Sequence, residues 1–137
     1  MHINLSIILP CFNEEKNIAY LYREFKEIKF NDSEIFELIF VQNGSTDNTE
    51  KEIHSVINQN YRKNLIIKMV RSDQNLGYGG GIKKGIENAK GEYIAWSHAD
   101  LQTPLEDINK LYNLMKEDKN SFGKGKRTTQ EGTAANT

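Results

Sequence analysis

Four short apolar runs alternate with helical patterns along this chain of 137 residues, and no other feature restricts its fold as strongly. The runs at 5–9, 36–41, 65–70 and 93–96 are rich in aliphatic and aromatic residues, as expected of strands covered on both faces. Between them and after the last, apolar residues recur every three or four positions, the spacing of helices with one buried face. This order predicts a three-layer α/β domain with a mostly parallel sheet.

Polar and small residues indicate where the predicted helices begin and end. We expect Asp47 to cap the second helix, with Glu50 three residues later. Gly91 is placed to end the third helix. The most distinct helix start follows 97–102, where Thr103 and Pro104 precede a further capping-box glutamate.

The pattern of strands and helices fades after Glu117, and the end of the chain is polar. We therefore predict one domain over 1–127 and, over 128–137, a polar tail or the beginning of a missing part. The N-terminal apolar run at 5–9 is too short for the core of a signal peptide or for a membrane span.

Charge and cysteine content exclude several classes of function. The formal net charge is −1, from 18 Lys and Arg against 19 Asp and Glu, so binding to nucleic acid has no electrostatic support. Cys11 is the only cysteine, which excludes an intramolecular disulfide and a multi-cysteine zinc site. We therefore expect a protein of the reducing cytoplasm.

The unusual polar and glycine residues follow the predicted strands, in the segments 10–14, 42–47, 72–81 and 97–102. Right-handed crossovers place the carboxyl ends of parallel strands along one edge of the sheet. Ligands of open α/β sheets bind outside those ends. The sequence therefore predicts a binding site along this edge.

The glycine-rich stretch at 77–81 resembles a phosphate-binding loop only in part. It lacks the continuation of a P-loop, and Ile82 and Lys84 stand where a dinucleotide fingerprint would need a third glycine. We expect glycines that let a ligand approach the backbone, followed by a helix N-terminus that favours an anion. Lys83 and Lys84 either contribute charge to that ligand or form a solvated helix face.

His98, Asp100 and Gln102 lie at alternate positions after the fourth run, so an extended segment would project them to one side. Their imidazole, carboxylate and amide oxygen could together hold Mn²⁺ or Mg²⁺. The alternative is that Asp100 begins a turn and His98 packs against Trp96.

Asparagine and acidic residues near the other predicted strand ends can likewise be interpreted either as ligand contacts or as structural residues. Asn43 would lie at a strand tip, where its amide can both donate to and accept from a nucleobase edge. Asn13 and Glu14 either contact a ligand or are first-turn residues favoured by the helix dipole.

Taken in order, four segments resemble the inverting glycosyltransferases of family 2. Residues 6–15 (SIILPCFNEE) resemble the opening strand and the Pro-x-Tyr/Phe-Asn-Glu turn of that family, and 37–49 (ELIFVQNGSTDNT) its Val-Asp-Asp-Gly-Ser-x-Asp-x-Thr segment. Residues 75–94 resemble its Asn-x-Gly…Ala-x-Gly-Glu-Tyr-Ile block. Residues 98–104 (HADLQTP) resemble an Asp-Ala-Asp-Leu-Gln-x-Pro motif typical of polyprenyl-phosphate mannosyl- and glucosyltransferases.

The resemblance implies the Rossmann-like GT-A fold and a nucleotide-sugar site at the edge described above. The residues implied to bind the nucleotide sugar are Pro10, Phe12, Asn13, Glu14, Asn43, Gly44, Gly77 and Asp100. Asp100 is further implied to hold Mn²⁺ or Mg²⁺ on the donor diphosphate, with His98 and Gln102 as the other candidate ligands. Gln42, Asn43 and His98 depart from the family pattern, which usually has aspartate at each of these positions.

The implied reaction is transfer of a sugar from a nucleotide-sugar donor to an acceptor, with inversion. The acceptor is expected to be a polyprenyl phosphate or a cell-surface glycan, the first of which would bring the enzyme to the cytoplasmic face of the membrane. In this family the acceptor site and catalytic base come from a further C-terminal part, so the alternative is a noncatalytic nucleotide-sugar-binding module. The edge strand of an incomplete sheet also predicts a homodimer.

Overall fold

The computed structural model describes residues 1–100 and 105–117, and over this part strands and helices alternate as predicted. The elements in chain order are β1 (Ile3–Cys11), α1 (Ile18–Glu27), β2 (Phe36–Asn43), α2 (Thr49–Gln59), β3 (Leu65–Ser72), α3 (Gly77–Glu87), β4 (Gly91–Trp96) and α4 (Leu105–Glu117). The predicted polar tail at 128–137, like the predicted helix start at Thr103 and Pro104, lies outside the described residues.

The described strands form one sheet in the order β3-β2-β1-β4, and each neighbouring pair is parallel. In the centre, Leu5 of β1 lies opposite Phe36 of β2 and Tyr93 of β4. The prediction of a mostly parallel sheet is therefore confirmed, and the carboxyl ends of the described strands lie along one edge.

The two faces of the sheet bury different sets of side chains. Alternate residues of β1, from Leu5 to Cys11, face a large cluster that includes Phe25 of α1, Ile53 of α2 and Ile108 of α4. Ile8, between them, belongs to a smaller cluster on the opposite face with residues of β2, α3 and β4. This is the three-layer arrangement predicted from the sequence.

Helix α3 lies on the opposite face because the chain must cross from β3 at one edge to β4 at the other. A right-handed connection in this reverse direction places its helix on the second face of the sheet. The helix approaches closely through glycine: a Cβ added at Gly85 would lie 2.4 Å from Cγ2 of Ile8 and 3.1 Å from Cγ2 of Val41. One turn earlier, an added Cβ at Gly81 would lie 3.1 Å from Cβ of Pro10.

The structure corrects the predicted roles of several glycines. Helix α3 ends at Glu87 with Asn88 as its C-cap, and Gly91 is the first residue of β4, not the end of a helix. At Gly91 an added Cβ would lie 2.5 Å from the backbone nitrogen of Ser6, so the close strand packing requires glycine there. The glycines at 77–81 do not precede the helix as a loop, because they form its first turns.

Two further expectations about element ends are corrected. Helix α2 begins at Thr49 with Asn48 as its N-cap, so Asp47 is not the cap. Its carboxylate instead accepts a hydrogen bond from the N–H of Thr49, two residues later, as in an Asx turn. Strands β1 and β2 both continue two residues beyond the predicted apolar runs, ending at Cys11 and Asn43, because Pro10 and Cys11 in β1 and two polar residues in β2 continue the ladder.

A buried carboxylate joins the strands to the end of α3. Glu37 of β2 is only 2% exposed, and its Oε1 accepts hydrogen bonds from the Ser6 hydroxyl at 2.8 Å and the Lys90 N–H at 3.1 Å. Its Oε2 lies 2.9 Å from Nζ of Lys68, which also donates to the carbonyl of Asn88. Burial works to raise the pKa of Glu37, but these hydrogen bonds and the charge of Lys68 outweigh it and lower the pKa.

Replacing Glu37 with glutamine should lower the free energy of unfolding at pH 7 by about 1–3 kcal/mol, because charged hydrogen bonds are lost inside the protein. A carboxyl with a lowered folded-state pKa stabilises the fold above its ordinary pKa of 4.5 and loses that contribution as the pH falls through the folded-state value. Urea unfolding between pH 7 and pH 3 should therefore show the difference between the two proteins shrinking below about pH 4.5.

The matched control is Glu92→Gln, since Glu92 is half exposed and pairs only with the exposed His2 among the ion pairs of the described residues. Its effect should stay below about 0.5 kcal/mol. A Glu37→Gln difference that is independent of pH would contradict the assignment of an ionised buried Glu37.

Replacing Gly85 with alanine should destabilise the protein by about 1–3 kcal/mol, because the new methyl group would overlap Ile8 in a packed contact. Gly79, in the same helix, has no heavy atom within 4 Å of an added Cβ, and Gly79→Ala should stabilise the helix by up to about 1 kcal/mol. Thermal or urea unfolding of both variants measures the contrast. Equal effects would show that α3 does not depend on close approach at Gly85.

Candidate functional site

A cleft of about 240 Å³ lies at the carboxyl ends of β1, β2 and β4, beside the start of α3. Most of the residues singled out from the sequence line it: Pro10, Phe12, Glu14, Asn43, Gly77, His98 and Asp100. These residues are far apart in the chain and come together because the strands are parallel. The structure thus brings these sequence-predicted residues together around one cavity.

The loop after β1 is held against the loop after β2 by the side chain of Asn13. Its Oδ1 accepts hydrogen bonds from the backbone N–H of Thr46 at 2.9 Å and of Asp47 at 3.3 Å. Its own N–H donates to the Ser45 hydroxyl at 2.9 Å. Asn13 has a φ of +53°, a left-handed conformation that asparagine tolerates better than most residues.

A second set of hydrogen bonds places Glu14 at the cleft. Its N–H donates to the Thr49 hydroxyl at 2.8 Å, and that hydroxyl donates in turn to Oδ1 of Asp47. Burial works to raise the pKa of Asp47, but hydrogen bonds from Thr49 and from nearby backbone N–H groups hold it below its ordinary value. The Glu14 carboxylate accepts a hydrogen bond from the Asn17 amide at 2.8 Å.

The side-chain amide of Asn43 binds the beginning of α3. Asn43 is 3% exposed at the end of β2. Its Oδ1 accepts a hydrogen bond from the Leu76 N–H at 2.9 Å, and its Nδ2 donates to the Gly77 carbonyl at 2.9 Å. Asn43 therefore lines the cleft with an amide that already donates and accepts within the protein.

Beyond β4, the His98 ring stacks on the ring of Tyr78 in α3, with centroids 4.3 Å apart and planes 10° from parallel. The ring contact of His98 is thus with Tyr78, and not with Trp96 as the alternative had it. The chain turns at Ala99 and Asp100, so the extended geometry expected to align His98 with Asp100 does not continue through this stretch. His98 and Asp100 nevertheless both line the cleft.

Two of the implied binding residues lie outside the lining. Asn13 orders the loops, as described above, and Gly44 forms the turn after β2 with a φ of +74°. An added Cβ at Gly44 would lie 2.5 Å from the backbone nitrogen of Asn75, so the glycine lets two loops approach each other. Gln102, the third candidate metal ligand, lies outside the described residues.

Sequence reasoning did not single out Asn75, Tyr78 or Ala99, which complete the lining of the cleft. The sequence holds no local signal for Tyr78, because its ring partner His98 lies twenty positions further along the chain. Asn75 accepts a hydrogen bond through its side chain from the Gly77 N–H at 2.8 Å, which helps to fix the start of α3.

The charges of the cleft favour a cation. Glu14 and Asp100 are acidic, and among the described lining residues neither lysine nor arginine occurs. Within residues 1–100 and 105–117 no three carboxylate, imidazole or thiol side chains come together as a complete metal cage. The carboxylate of Asp100 and the imidazole of His98 are ligand types suited to Mn²⁺ or Mg²⁺, and both line this acidic cleft.

The Cys11 thiol lies under the cleft and is fully buried. Burial, with a smaller effect of the Glu14 carboxylate, raises the pKa of this thiol well above its ordinary value. The thiolate needed for a nucleophile is therefore disfavoured, and Cys11 packs as an apolar side chain.

The fold is a doubly wound α/β domain, and its cleft lies at the carboxyl ends of the strands, where domains of this architecture bind their ligands. The model of glycosyl transferase family 2 matches residues 6–135, and the chain belongs to this family.

Relatives and solved structures agree with this assignment. The chain is 31% identical over 132 residues to the dolichyl-phosphate beta-glucosyltransferase of Dictyostelium discoideum, covering 89% of this chain and 38% of that enzyme. It is 34% identical over 116 residues to the dolichol-phosphate mannosyltransferase of Saccharomyces cerevisiae, covering 84% and 42%. The chain thus spans about two fifths of the length of these relatives.

Among solved structures, the fold is similar to that of residues 1–349 of Staphylococcus aureus TarS, with a TM-score of 0.69 at 23% identity, covering 90% of this chain and 39% of that one. It is also similar to the mannosyltransferase PcManGT from Pyrobaculum calidifontis, solved with GDP-Man and Mn²⁺, with a TM-score of 0.69 at 22% identity and coverage of 85% and 32%. These similarities confirm the predicted GT-A fold.

Replacing Asn13 with alanine should destabilise the protein by about 2 kcal/mol, because it removes the hydrogen bonds to the next loop and leaves alanine at a left-handed φ. Replacing it with glycine removes the same hydrogen bonds without the backbone strain and should cost about 1 kcal/mol less. Urea unfolding gives the free energies, and amide hydrogen exchange should show faster exchange at Thr46 and Asp47 in both variants. Unchanged exchange at these amides would contradict the role of Asn13 in holding the loops together.

Proposed function

We propose that this chain supplies the donor-binding part of a glycosyltransferase that takes its sugar from a nucleoside-diphosphate sugar. The observation that carries the proposal is the cleft itself: it combines the start of α3 with two acidic side chains, Glu14 and Asp100, at the carboxyl ends of the strands. A helix N-terminus favours phosphate, whereas carboxylates repel it unless a cation lies between them. A nucleoside diphosphate bound together with a divalent cation satisfies both features.

Each part of the cleft has a task in this proposal. Pro10 and Phe12 offer apolar surface to the nucleoside, and the Phe12 ring is 44% exposed. The N–H groups of the first turn of α3 after Gly77, whose own N–H donates to the Asn75 side chain, face the diphosphate. Asp100 and His98, with Gln102, hold Mn²⁺ or Mg²⁺. When bound, the cation neutralises charge on the departing nucleoside diphosphate.

The finer details of the reaction are part of the same proposal. We infer transfer to a polyprenyl phosphate, since the names of the relatives above specify dolichyl or dolichol phosphate. Inversion is inferred from the resemblance to the inverting family 2 enzymes. Such an acceptor would bring the enzyme to the cytoplasmic face of a membrane. Among the helices that the structure describes, none has the length and apolar character needed to cross a bilayer. We assign no catalytic base to the described residues.

A noncatalytic nucleotide-sugar-binding module is the second candidate. Binding of UDP-glucose or GDP-mannose without hydrolysis or transfer would support this module over the enzyme.

Within the described sheet β4 pairs with β1 alone, which supports the proposal of a homodimer formed through this edge strand.

The central test is calorimetric titration with UDP and with GDP, each with and without Mn²⁺. One of the two should bind in the presence of Mn²⁺ and lose affinity when EDTA removes the metal. Replacing Asp100 with asparagine should weaken the Mn²⁺-dependent binding by at least about tenfold, because even the outer-shell partners of a metal contribute that much.

The matched control is Asp73→Asn, which removes a carboxylate that is 84% exposed, pairs with Arg71 and does not line the cleft. Its nucleotide affinity should equal that of the unmodified protein. Binding that ignores both EDTA and the loss of Asp100 would contradict the proposed cation-assisted site.

A further inference from the structure

Among side chains of this shape, only that of asparagine can make both of the hydrogen bonds that Asn43 makes at the start of α3. It accepts from the Leu76 N–H and donates to the Gly77 carbonyl, each at 2.9 Å. An aspartate of the same shape could still accept the first hydrogen bond, but it would place a negative oxygen against the Gly77 carbonyl. The helix also leaves little room, since an added Cβ at Gly81 would lie 3.0 Å from Nδ2 of Asn43.

The residue that follows this anchored carbonyl is Tyr78, whose ring stacks on His98 across the join between α3 and the segment after β4. Gly77 has a φ of +77°, so the direction in which the chain enters α3 is set at this residue. Asn43 holds the Leu76 N–H just before that bend and the Gly77 carbonyl just after it, and Tyr78 is the first residue beyond it. A shift at Asn43 would therefore move the Tyr78 ring.

We propose that Asn43 and Tyr78 are positioning residues that act in series to hold the His98 imidazole in the wall of the cleft beside Asp100. Offset or parallel stacking fixes the plane of the His98 ring and limits its rotamers, so the imidazole does not swing away from the cleft. Asn43, Tyr78 and His98 thus form one structural unit: the amide of Asn43 fixes the backbone before Tyr78, and the Tyr78 ring stacks on His98. This inference rests on the proposed function only for what His98 then contacts, which is the cation and the diphosphate.

Proton NMR of the free protein tests the unit without any nucleotide. The chain has three histidines, so the ring signals of His98 can be separated from those of His2 and His54. A proton above an aromatic face is shifted upfield, and the His98 signals should carry such a shift in the unmodified protein. The shift should be lost in Tyr78→Leu, retained in Tyr78→Phe, and reduced in Asn43→Asp while the His2 and His54 signals stay in place.

Tyr20→Leu is the matched control, because it removes a tyrosine ring of similar exposure, 44% against 38%, from the surface of a different helix. It should leave the His98 signals unchanged. If Asn43→Asp fails to fold, Asn43→Ser keeps a small neutral donor and acceptor and should likewise reduce the upfield shift. His98 signals that are insensitive to Tyr78→Leu, or to every folded Asn43 variant, would overturn the proposal.

Titration with Mn²⁺-UDP and Mn²⁺-GDP measures the consequence for binding. Tyr78→Leu should weaken whichever nucleotide binds by roughly two- to tenfold, the range expected for one aromatic pair, while Tyr78→Phe and Tyr20→Leu keep the unmodified affinity. If Tyr78→Leu removes the upfield shift of the His98 ring signals and leaves the nucleotide affinity unchanged, the position of the His98 ring does not contribute to binding, and that part of the proposal is overturned. Failure of the unmodified protein to bind either nucleotide would contradict the proposed function, whereas the NMR result would still decide whether Asn43 and Tyr78 position His98.

Discussion

The close contact between α3 and the sheet is the constraint on which the cleft depends. Gly85 lets the helix approach Ile8 more closely than a residue with a Cβ could, and an added Cβ at Gly81 would be crowded against Pro10. This approach brings the first turn of α3 within hydrogen-bonding distance of Asn43 at the end of β2. A helix held a few ångströms further out would leave its N-terminus in solvent and the cleft without one wall.

The opposite wall is ordered by a different physical means, a set of hydrogen bonds between two loops. Asn13 and Asp47 each accept backbone N–H groups from the other loop, so the loops after β1 and β2 behave as one structure. Ordering a loop before a ligand arrives reduces the entropy that binding must overcome. Asn13 therefore orders the loops beside the cleft without lining the cleft itself, which gives this residue of the Pro-x-Tyr/Phe-Asn-Glu turn a structural role.

The sequence was sufficient to predict the order of the elements, the parallel sheet and most residues of the cleft. The elements follow from the local periodicity of apolar residues, and the position of the cleft follows from the topology, which places the carboxyl ends of parallel strands at one edge. It was not sufficient for Gly91, where a helix-ending glycine and a glycine forced by contact with Ser6 look identical in the chain. Tyr78 was missed for a related reason: its stack on His98 joins residues twenty positions apart, and no local pattern encodes it. The roles of Gly91 and Tyr78 could not be predicted because tertiary contacts determine them.

The departures from the acidic family pattern have a consequence for how the proposed site binds its two ligands. With Asn43 and His98 in the lining, Glu14 and Asp100 are the acidic side chains that the described cleft offers to a cation. On the proposed function, such a site would hold Mn²⁺ weakly by itself and would repel a diphosphate that arrives alone. Each ligand supplies the charge that the other lacks, and linkage requires the increase in affinity to be the same in both directions. On this proposal the cation and the nucleotide bind as one unit, to which the amide of Asn43 and the ring of His98 contribute shape and no negative charge.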